Sequence, residues 1–106
     1  MEGSCVSDIP YLHDASFESV VMDIKQNVVR IHVTRYISPD SADRFASVIE
    51  FRNVESFSGL INFKELASNA WAGNIEDWEP ASEVGFSYIY LVRGTICIFS
   101  DPPVVT

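Results

Sequence analysis

The segment Val28–Tyr36 constrains the fold more than any other stretch, because its side chains alternate between apolar and polar. Val29, Ile31 and Val33 are β-branched and apolar, and the residues between them are polar or charged. A period of two residues is typical of a β-strand with one face towards the core and one towards water. The sequence therefore predicts a half-buried strand here.

Further segments have strand-like composition, and turn residues separate them into hairpins. Strands are predicted at residues 17–24, 46–52, 74–79, 86–92 and 95–100. Residues 25–27 form a short turn before Val28, and Arg93-Gly94 joins the last two strands in a tight hairpin. Both faces of this last hairpin are apolar, with Phe86, Tyr88 and Tyr90 on one face. The pattern predicts a central hairpin that is covered on both sides.

Other segments indicate ends of strands and one helix. A short apolar segment after residues 53–55 is predicted to end at Ser58-Gly59. Asn62 and Glu65 have the spacing of a capping box, which predicts a helix from about residue 63 to residue 70, ended near Gly73. Residues 1–10 and 101–106 are interpreted as terminal extensions.

These elements predict a mostly-β fold, α+β at the margin. About six antiparallel strands would form a small sandwich or open barrel with one short helix. A length of 106 residues fits a single domain, 1–106, with an ordered core at about residues 11–100 and extended termini.

The charge balance and the cysteine count limit the classes of partner. Fifteen acidic residues face seven basic ones, for a formal net charge of −8. This charge disfavours nucleic acid and anionic membrane surfaces and favours a basic protein partner. Cys5 and Cys97 are too few for a disulfide scaffold, and Cys97 is expected to be buried and reduced. No secretory signal opens the chain, so a cytoplasmic protein is expected.

His13-Asp14 is the pair that most resembles catalytic chemistry, as a general-base pair or the start of a metal site. The structural alternative is that Asp14 supports a turn while the imidazole of His13 bonds local backbone groups. A metal site could combine His13 and His32 with Asp8 or Asp23, but no metal-binding spacing is present. We therefore expect no metal and no cofactor.

An acidic segment between two tryptophans is the candidate binding site. The proposed binding residues are Trp71, Glu76, Asp77 and Trp78. Aromatic side chains beside acidic ones form good contact points for a basic protein. The alternative is that at least one indole fills the core. Carboxylates near Trp78 could also form a glycosidase-like cleft, although a solvated charged strand edge is the preferred interpretation.

The order of these features resembles a broad group of short bacterial β-rich proteins. The shared features are the opening Leu12-His13-Asp14-Ala15, a β-hairpin, a segment at residues 49–54 with the pattern apolar-x-Phe-x-x-Val, and a final apolar hairpin. Some proteins of this kind are similar to immunity proteins, which neutralise a secreted toxin in the cytoplasm. This resemblance implies a binding role and no established active site.

Three functional hypotheses follow from the sequence. The first is a cytoplasmic, non-enzymatic protein-interaction module, such as an immunity-type inhibitor of a basic toxin. The second is a small ligand-binding or hydrolytic β domain that uses His13 and Asp14, which requires a pocket beside an inward-facing His13. The third is a structural homo-oligomer, in its simplest form a homodimer, assembled through exposed strand edges.

Overall fold

The computed structural model describes residues 12–36, 43–64 and 74–106 of the chain. Within them, eight strands follow one another. The strands are β1 (Ser16–Asp23), β2 (Val28–Tyr36), β3 (Arg44–Phe51), β4 (Ser56–Ile61), β5 (Ile75–Glu79), β6 (Gly85–Leu91), β7 (Gly94–Ser100) and β8 (Val104–Val105).

The strands form two antiparallel sheets of four strands each. Sheet A has the order β1-β2-β3-β8, and sheet B has the order β4-β7-β6-β5. The mostly-β prediction is confirmed, and the arrangement is two sheets rather than a closed barrel. The predicted hairpins β1-β2 and β6-β7 are both present. The strand number differs from the prediction because β4 is a full strand and β8 was not expected.

β4 continues through Ser58-Gly59, where the sequence predicted an end. Gly59 lies opposite Ile96 of β7, and a Cβ atom on Gly59 would lie 3.2 Å from the carbonyl oxygen of Thr95. The small residue therefore allows close approach of the neighbouring backbone. Pairing along the whole length of β7 outweighs the weak local β propensity of Ser-Gly.

The tail that was interpreted as an extension adds an edge strand to sheet A. Val104 and Val105 lie opposite Glu50 and Ile49, and Thr106 exchanges backbone hydrogen bonds with Val48 at 3.0 and 3.1 Å. Prolines 102 and 103 cannot donate backbone hydrogen bonds, which is tolerated beside an edge strand.

Both sheets contribute their inner faces to one hydrophobic core. The half-buried character predicted for β2 is confirmed, because Val29, Ile31 and Val33 are at most 4% exposed, and Ile49 and Phe51 of β3 are fully buried beside them. The fully buried apolar residues of sheet B and of the segment before β1 complete this core: Leu12, Ala15, Ile75, Ile89, Leu91, Ile96 and Ile98.

β1 is only partly buried, although its sequence alternates with Val20, Met22 and Ile24 on one face. Val20 packs against the core, but Met22 is 47% exposed and Ile24 is 78% exposed. β1 is the edge strand of sheet A, and Ile24 lies in the turn beyond its end. Fewer neighbours therefore cover these two side chains.

The β6-β7 hairpin is central in sheet B, as predicted, but it is not covered on both sides. Ile89 and Ile96 are buried on the inner face, whereas Phe86 on the outer face is 50% exposed. Cys97 lies on this outer face opposite Tyr88 and is partly exposed, so the prediction of a buried thiol is wrong.

Only the start of the predicted helix falls within the described residues. Phe63 and Lys64 have helical backbone, and the rest of the predicted segment lies outside the described residues. In the described part of the chain, no helix has the length and apolar composition that a bilayer span needs.

Candidate functional site

The Leu12-His13-Asp14-Ala15 segment forms a tight turn. The Ala15 N–H donates to the Leu12 carbonyl at 2.9 Å, and Asp14 has a φ of +66°. Asp is among the few residues that adopt this left-handed conformation readily. Leu12 and Ala15 are buried, whereas His13 and Asp14 are exposed at the tip. The pattern of these four residues is therefore explained by the turn.

Hydrogen bonds connect this turn to the beginning of β5. The Asp14 N–H donates to the Ile75 carbonyl, and the Ile75 N–H donates to the Ala15 carbonyl, both at 2.8 Å. The Nδ1 atom of His13 lies 2.8 Å from the Glu76 carbonyl oxygen, where an Nδ1–H tautomer donates a hydrogen bond. The turn thus joins the edge of sheet A to the edge of sheet B, and it brings both sequence-predicted candidate sites together.

In this arrangement His13 has a structural role, because it bonds the main chain of β5 and does not line a pocket. The Nε2 atom of His13 lies 3.6 Å from an Asp14 carboxylate oxygen, and both side chains are about half exposed, at 53% and 55%. None of the three pockets described is lined by His13. The inward-facing histidine that the hydrolytic hypothesis requires is therefore not found among the described residues.

The metal-site hypothesis is likewise not supported by the described geometry. Over residues 12–36, 43–64 and 74–106, no group of three His, Cys, Asp or Glu side chains could hold a metal ion. His32 lies on β2, where it pairs with Ser19 and Val48. Asp23 accepts a hydrogen bond from the Gln26 N–H in the β1-β2 turn. Asp8 lies outside the described residues.

The candidate binding residues on β5 separate onto two faces. Trp78 lies opposite Ile89 and is partly buried against the hydrophobic core, in agreement with the alternative that one indole fills the core. A bulge between Ile75 and Asp77 allows both Ile75 and Trp78 to face inward although they are three positions apart. Glu76 lies in this bulge and is exposed. Trp71 lies outside the described residues.

Asp77 and Glu79 point away from the core, next to two tyrosines of β6. Asp77 lies opposite Tyr90, and Glu79 lies opposite Tyr88. Both carboxylates are exposed, and one Asp77 oxygen accepts the Trp78 N–H at 2.8 Å. We call this outer surface of sheet B the aromatic face. Its members are Asp77, Glu79, Phe86, Tyr88, Tyr90 and Phe99.

The rings of the aromatic face are ordered against one another. The Tyr88 and Tyr90 ring centroids lie 6.2 Å apart, and their planes differ by only 8°. Phe86 meets Phe99 edge to face, with centroids 4.9 Å apart. These contacts hold the rings in defined positions on a sheet surface, so they form a pre-organised contact area.

The electrostatics of the aromatic face are one-sided. Burial by neighbouring groups, followed by the negative charges of Glu79 and Asp77, raises the pKa of the Tyr90 phenol above its ordinary value. The four strands of sheet B carry the carboxylates Glu76, Asp77 and Glu79 and no Lys or Arg. Within the described residues, no lysine or arginine forms an ion pair with Asp77 or Glu79.

A second surface feature lies between β1 and β4, the edge strands of the two sheets. A groove of about 570 Å³ is lined mainly by apolar side chains. These are Phe17, Val20, Met22, Phe57, Ile61 and Phe63. The groove contains one carboxylate, that of Glu18, and it lacks the convergent polar groups that orient a substrate.

Of the aromatic face, the residues predicted from the sequence for binding include Asp77 and none of the aromatic rings. Phe86, Tyr88 and Tyr90 were interpreted as covered core residues. The acidic strand at residues 75–79 could have indicated that the outer face of β6 is exposed. Its charged side chains cannot be buried on the outer side, and it pairs directly with β6.

Comparison of the chain with protein-family models, curated proteins and solved structures finds no match. The geometry defines a class: an all-β domain of two four-stranded antiparallel sheets, with one aromatic, acidic outer face.

Proposed function

We propose that this protein is a non-enzymatic protein-interaction module that binds a basic partner through the aromatic face. The observation that carries the proposal is the juxtaposition of Tyr88 and Tyr90 with Glu79 and Asp77 on an exposed sheet surface. Exposed aromatic side chains supply much of the binding energy at protein interfaces. Carboxylates without a cation partner in the described part of the chain add a preference for positive charge.

The charge of the face also argues against self-association through it. In a homodimer built on this surface, Asp77 and Glu79 of one copy would approach those of the other. Juxtaposed like charges at an interface cost several kcal/mol in general. A basic partner removes this repulsion, so the aromatic face supports a heteromeric complex over a homodimer.

The finer form of the proposal is a cytoplasmic immunity-type inhibitor of a basic toxin. Its support is the resemblance to immunity proteins, the net charge of −8 and a pre-organised acidic surface. Electrostatic attraction would speed the encounter with the toxin, and the tyrosines would slow dissociation.

The test is a quantitative pull-down from native lysate with three forms of the protein. Wild type is compared with a variant combining Asp77→Lys and Glu79→Lys, and with a control combining Glu18→Lys and Glu55→Lys. The control makes the same change in net charge at exposed positions outside β5 and β6, the strands that carry the tyrosines and their carboxylates. Captured proteins are identified by mass spectrometry, and affinity for the purified partner is then measured.

We expect a basic partner that wild type and control both bind, and that the aromatic-face variant binds on the order of 100-fold more weakly. The loss should be larger at low salt than at high salt, because the charges are exposed. Equal affinity of all three forms, or a captured partner that is acidic, would refute the proposal.

A further inference from the structure

Resting on the proposed function, we infer that the aromatic face recognises an arginine side chain of its partner. The guanidinium would lie against the exposed side of the Tyr88 and Tyr90 rings and donate hydrogen bonds to Glu79 and Asp77. This assigns a specific chemical group to a surface for which the net charge alone predicts only a basic partner.

The first argument is the geometry of the two rings. A cation is attracted to an aromatic face when it lies within about 6 Å of the ring centroid. The Tyr88 and Tyr90 centroids are 6.2 Å apart and their planes are parallel within 8°, so one planar cation can contact both rings. A guanidinium is flat and weakly hydrated and stacks on such rings, whereas an ammonium group is compact and strongly hydrated.

The second argument is the position of the carboxylates. Each tyrosine has an acidic residue directly opposite it on β5: Glu79 beside Tyr88 and Asp77 beside Tyr90. The hydrogen bond from the Trp78 N–H to one Asp77 oxygen restrains that carboxylate at 2.8 Å. A guanidinium has five N–H donors in a fixed fork, so it can bond to a carboxylate while its plane stays on a ring. An ammonium group has no plane to stack on a ring and is more strongly hydrated, so it combines the two contacts less favourably.

The third argument comes from the arginines of sheet A, which already make this type of contact. The Arg35 guanidinium carbon lies 4.5 Å from the Phe45 ring centroid, and that of Arg44 lies 4.8 Å from the Tyr36 centroid. Sheet B offers two tyrosines with adjacent carboxylates, and its strands contain no Lys or Arg.

The experiment compares two capped peptides of equal charge, tetra-arginine and tetra-lysine, in NMR titrations of the full-length protein. We expect the tetra-arginine peptide to bind at least about threefold more tightly, as an additional cation–π contact predicts. The shift changes should be concentrated in β5 and β6. In a variant combining Tyr88→Leu and Tyr90→Leu, the two peptides should bind equally.

Two further variants keep the test decisive. Tyr36→Leu removes a tyrosine of sheet A and should leave the preference for arginine unchanged. A variant combining Asp77→Asn and Glu79→Gln should weaken binding of both peptides, and it provides the test if the double tyrosine variant does not fold.

The outcomes separate this inference from the proposed function. Equal affinity of wild type for the two peptides, or shift changes located outside β5 and β6, would overturn the arginine site. A basic partner that depends on Asp77 and Glu79 in the pull-down would still support the interaction module in that case. If the pull-down finds no basic partner but the wild type still prefers the tetra-arginine peptide at β5 and β6, the interaction module is overturned. The arginine site then stands.

Discussion

The outer faces of the two sheets differ in how their charges are compensated. On sheet A, the Glu50 carboxylate lies 3.5 Å from a guanidinium nitrogen of Arg30 and 3.3 Å from one of Arg52. On sheet B, Asp77 and Glu79 have tyrosines as cross-strand neighbours instead of cations. Sheet A therefore pairs its Glu50 carboxylate with cations, whereas sheet B leaves negative charge next to partly exposed aromatic surface.

This difference shows which surfaces of a small β domain are needed for folding and which are available for binding. Each sheet contributes five buried apolar side chains to the core, so the composition of the core does not distinguish the sheets. The distinction is confined to the outer faces, where substitutions change little of the core. Substitutions that adapt such a surface to a partner should therefore cost little stability.

The largest expected effect is on the free energy of unfolding, when the loss of a ring from the inner face is compared with the loss of one from the outer face. Phe51→Ala removes a fully buried ring and should lower the free energy of unfolding by about 3–5 kcal/mol. Phe86→Ala removes a ring that is 50% exposed and should cost less than about 1.5 kcal/mol, mainly through its contact with Phe99. Urea denaturation followed by tryptophan fluorescence measures both. Equal losses would show that the outer face contributes to the fold as much as the core.

A second experiment makes sheet B resemble sheet A. Thr95 is exposed on the aromatic face opposite Tyr90, so Thr95→Arg places an internal guanidinium beside the tyrosines and their carboxylates. This group competes with the partner, and affinity for the partner should fall by about tenfold, or 1.4 kcal/mol. Val104→Arg adds the same charge beside Glu50 on sheet A and serves as the control. An unchanged affinity for Thr95→Arg would contradict the assignment of the binding surface.

Removal of one carboxylate from each sheet should give a smaller, opposite pair of effects. Glu50→Gln breaks contacts with Arg30 and Arg52 and should cost up to about 1 kcal/mol of stability at low salt. Glu79→Gln removes a charge that makes no ion pair in the described part of the chain, so stability should stay constant or rise slightly. Urea denaturation at low and at 1 M salt checks both, and the cost of Glu50→Gln should shrink in high salt.

The smallest effect concerns the titration of Tyr90. Its pKa is raised in the folded state, so the protonated phenol contributes stability below the pKa of an unfolded tyrosine. That contribution is lost as the pH rises through the folded pKa, in the alkaline range. At neutral pH the contribution is fully present, so small changes of pH there do not alter the stability. Combining Asp77→Asn with Glu79→Gln should lower the Tyr90 pKa towards the ordinary value in an NMR titration of the tyrosine ring carbons. A titration identical to that of wild type would show that these carboxylates do not act on the phenol.

The sequence predicted those parts of the fold that have a strong local period. Within β2, residues 29–34 alternate strictly between apolar and polar, and both tight hairpins have recognisable turns. β4 was missed because Gly59 weakens the local signal, and it becomes a strand only through its pairing with β7. β8 has two residues and follows two prolines, so its existence depends on the edge that β3 presents.

The candidate site was predicted only in part, because the sequence does not show which face of a sheet the other sheet covers. A period of two assigns side chains to two faces, but it cannot tell which apolar face a second layer covers. Tyr88 and Tyr90 were therefore assigned to a covered face. The bulge at Glu76 also shifts the alternation of β5, which turns Trp78 inward and Asp77 outward. Bulges leave little trace in a single sequence.

The connection between the turn and β5 has a consequence for how binding specificity can change. Asp14 and Ala15 hold β5 through the N–H and carbonyl groups of Ile75, and His13 bonds the carbonyl of Glu76. Each of these contacts uses main-chain atoms of β5 and none uses a side chain of the acidic residues. The identities of residues 76, 77 and 79 can thus be exchanged without loosening the junction of the two sheets. One scaffold could in this way be adapted to many partners by substitutions on a single strand.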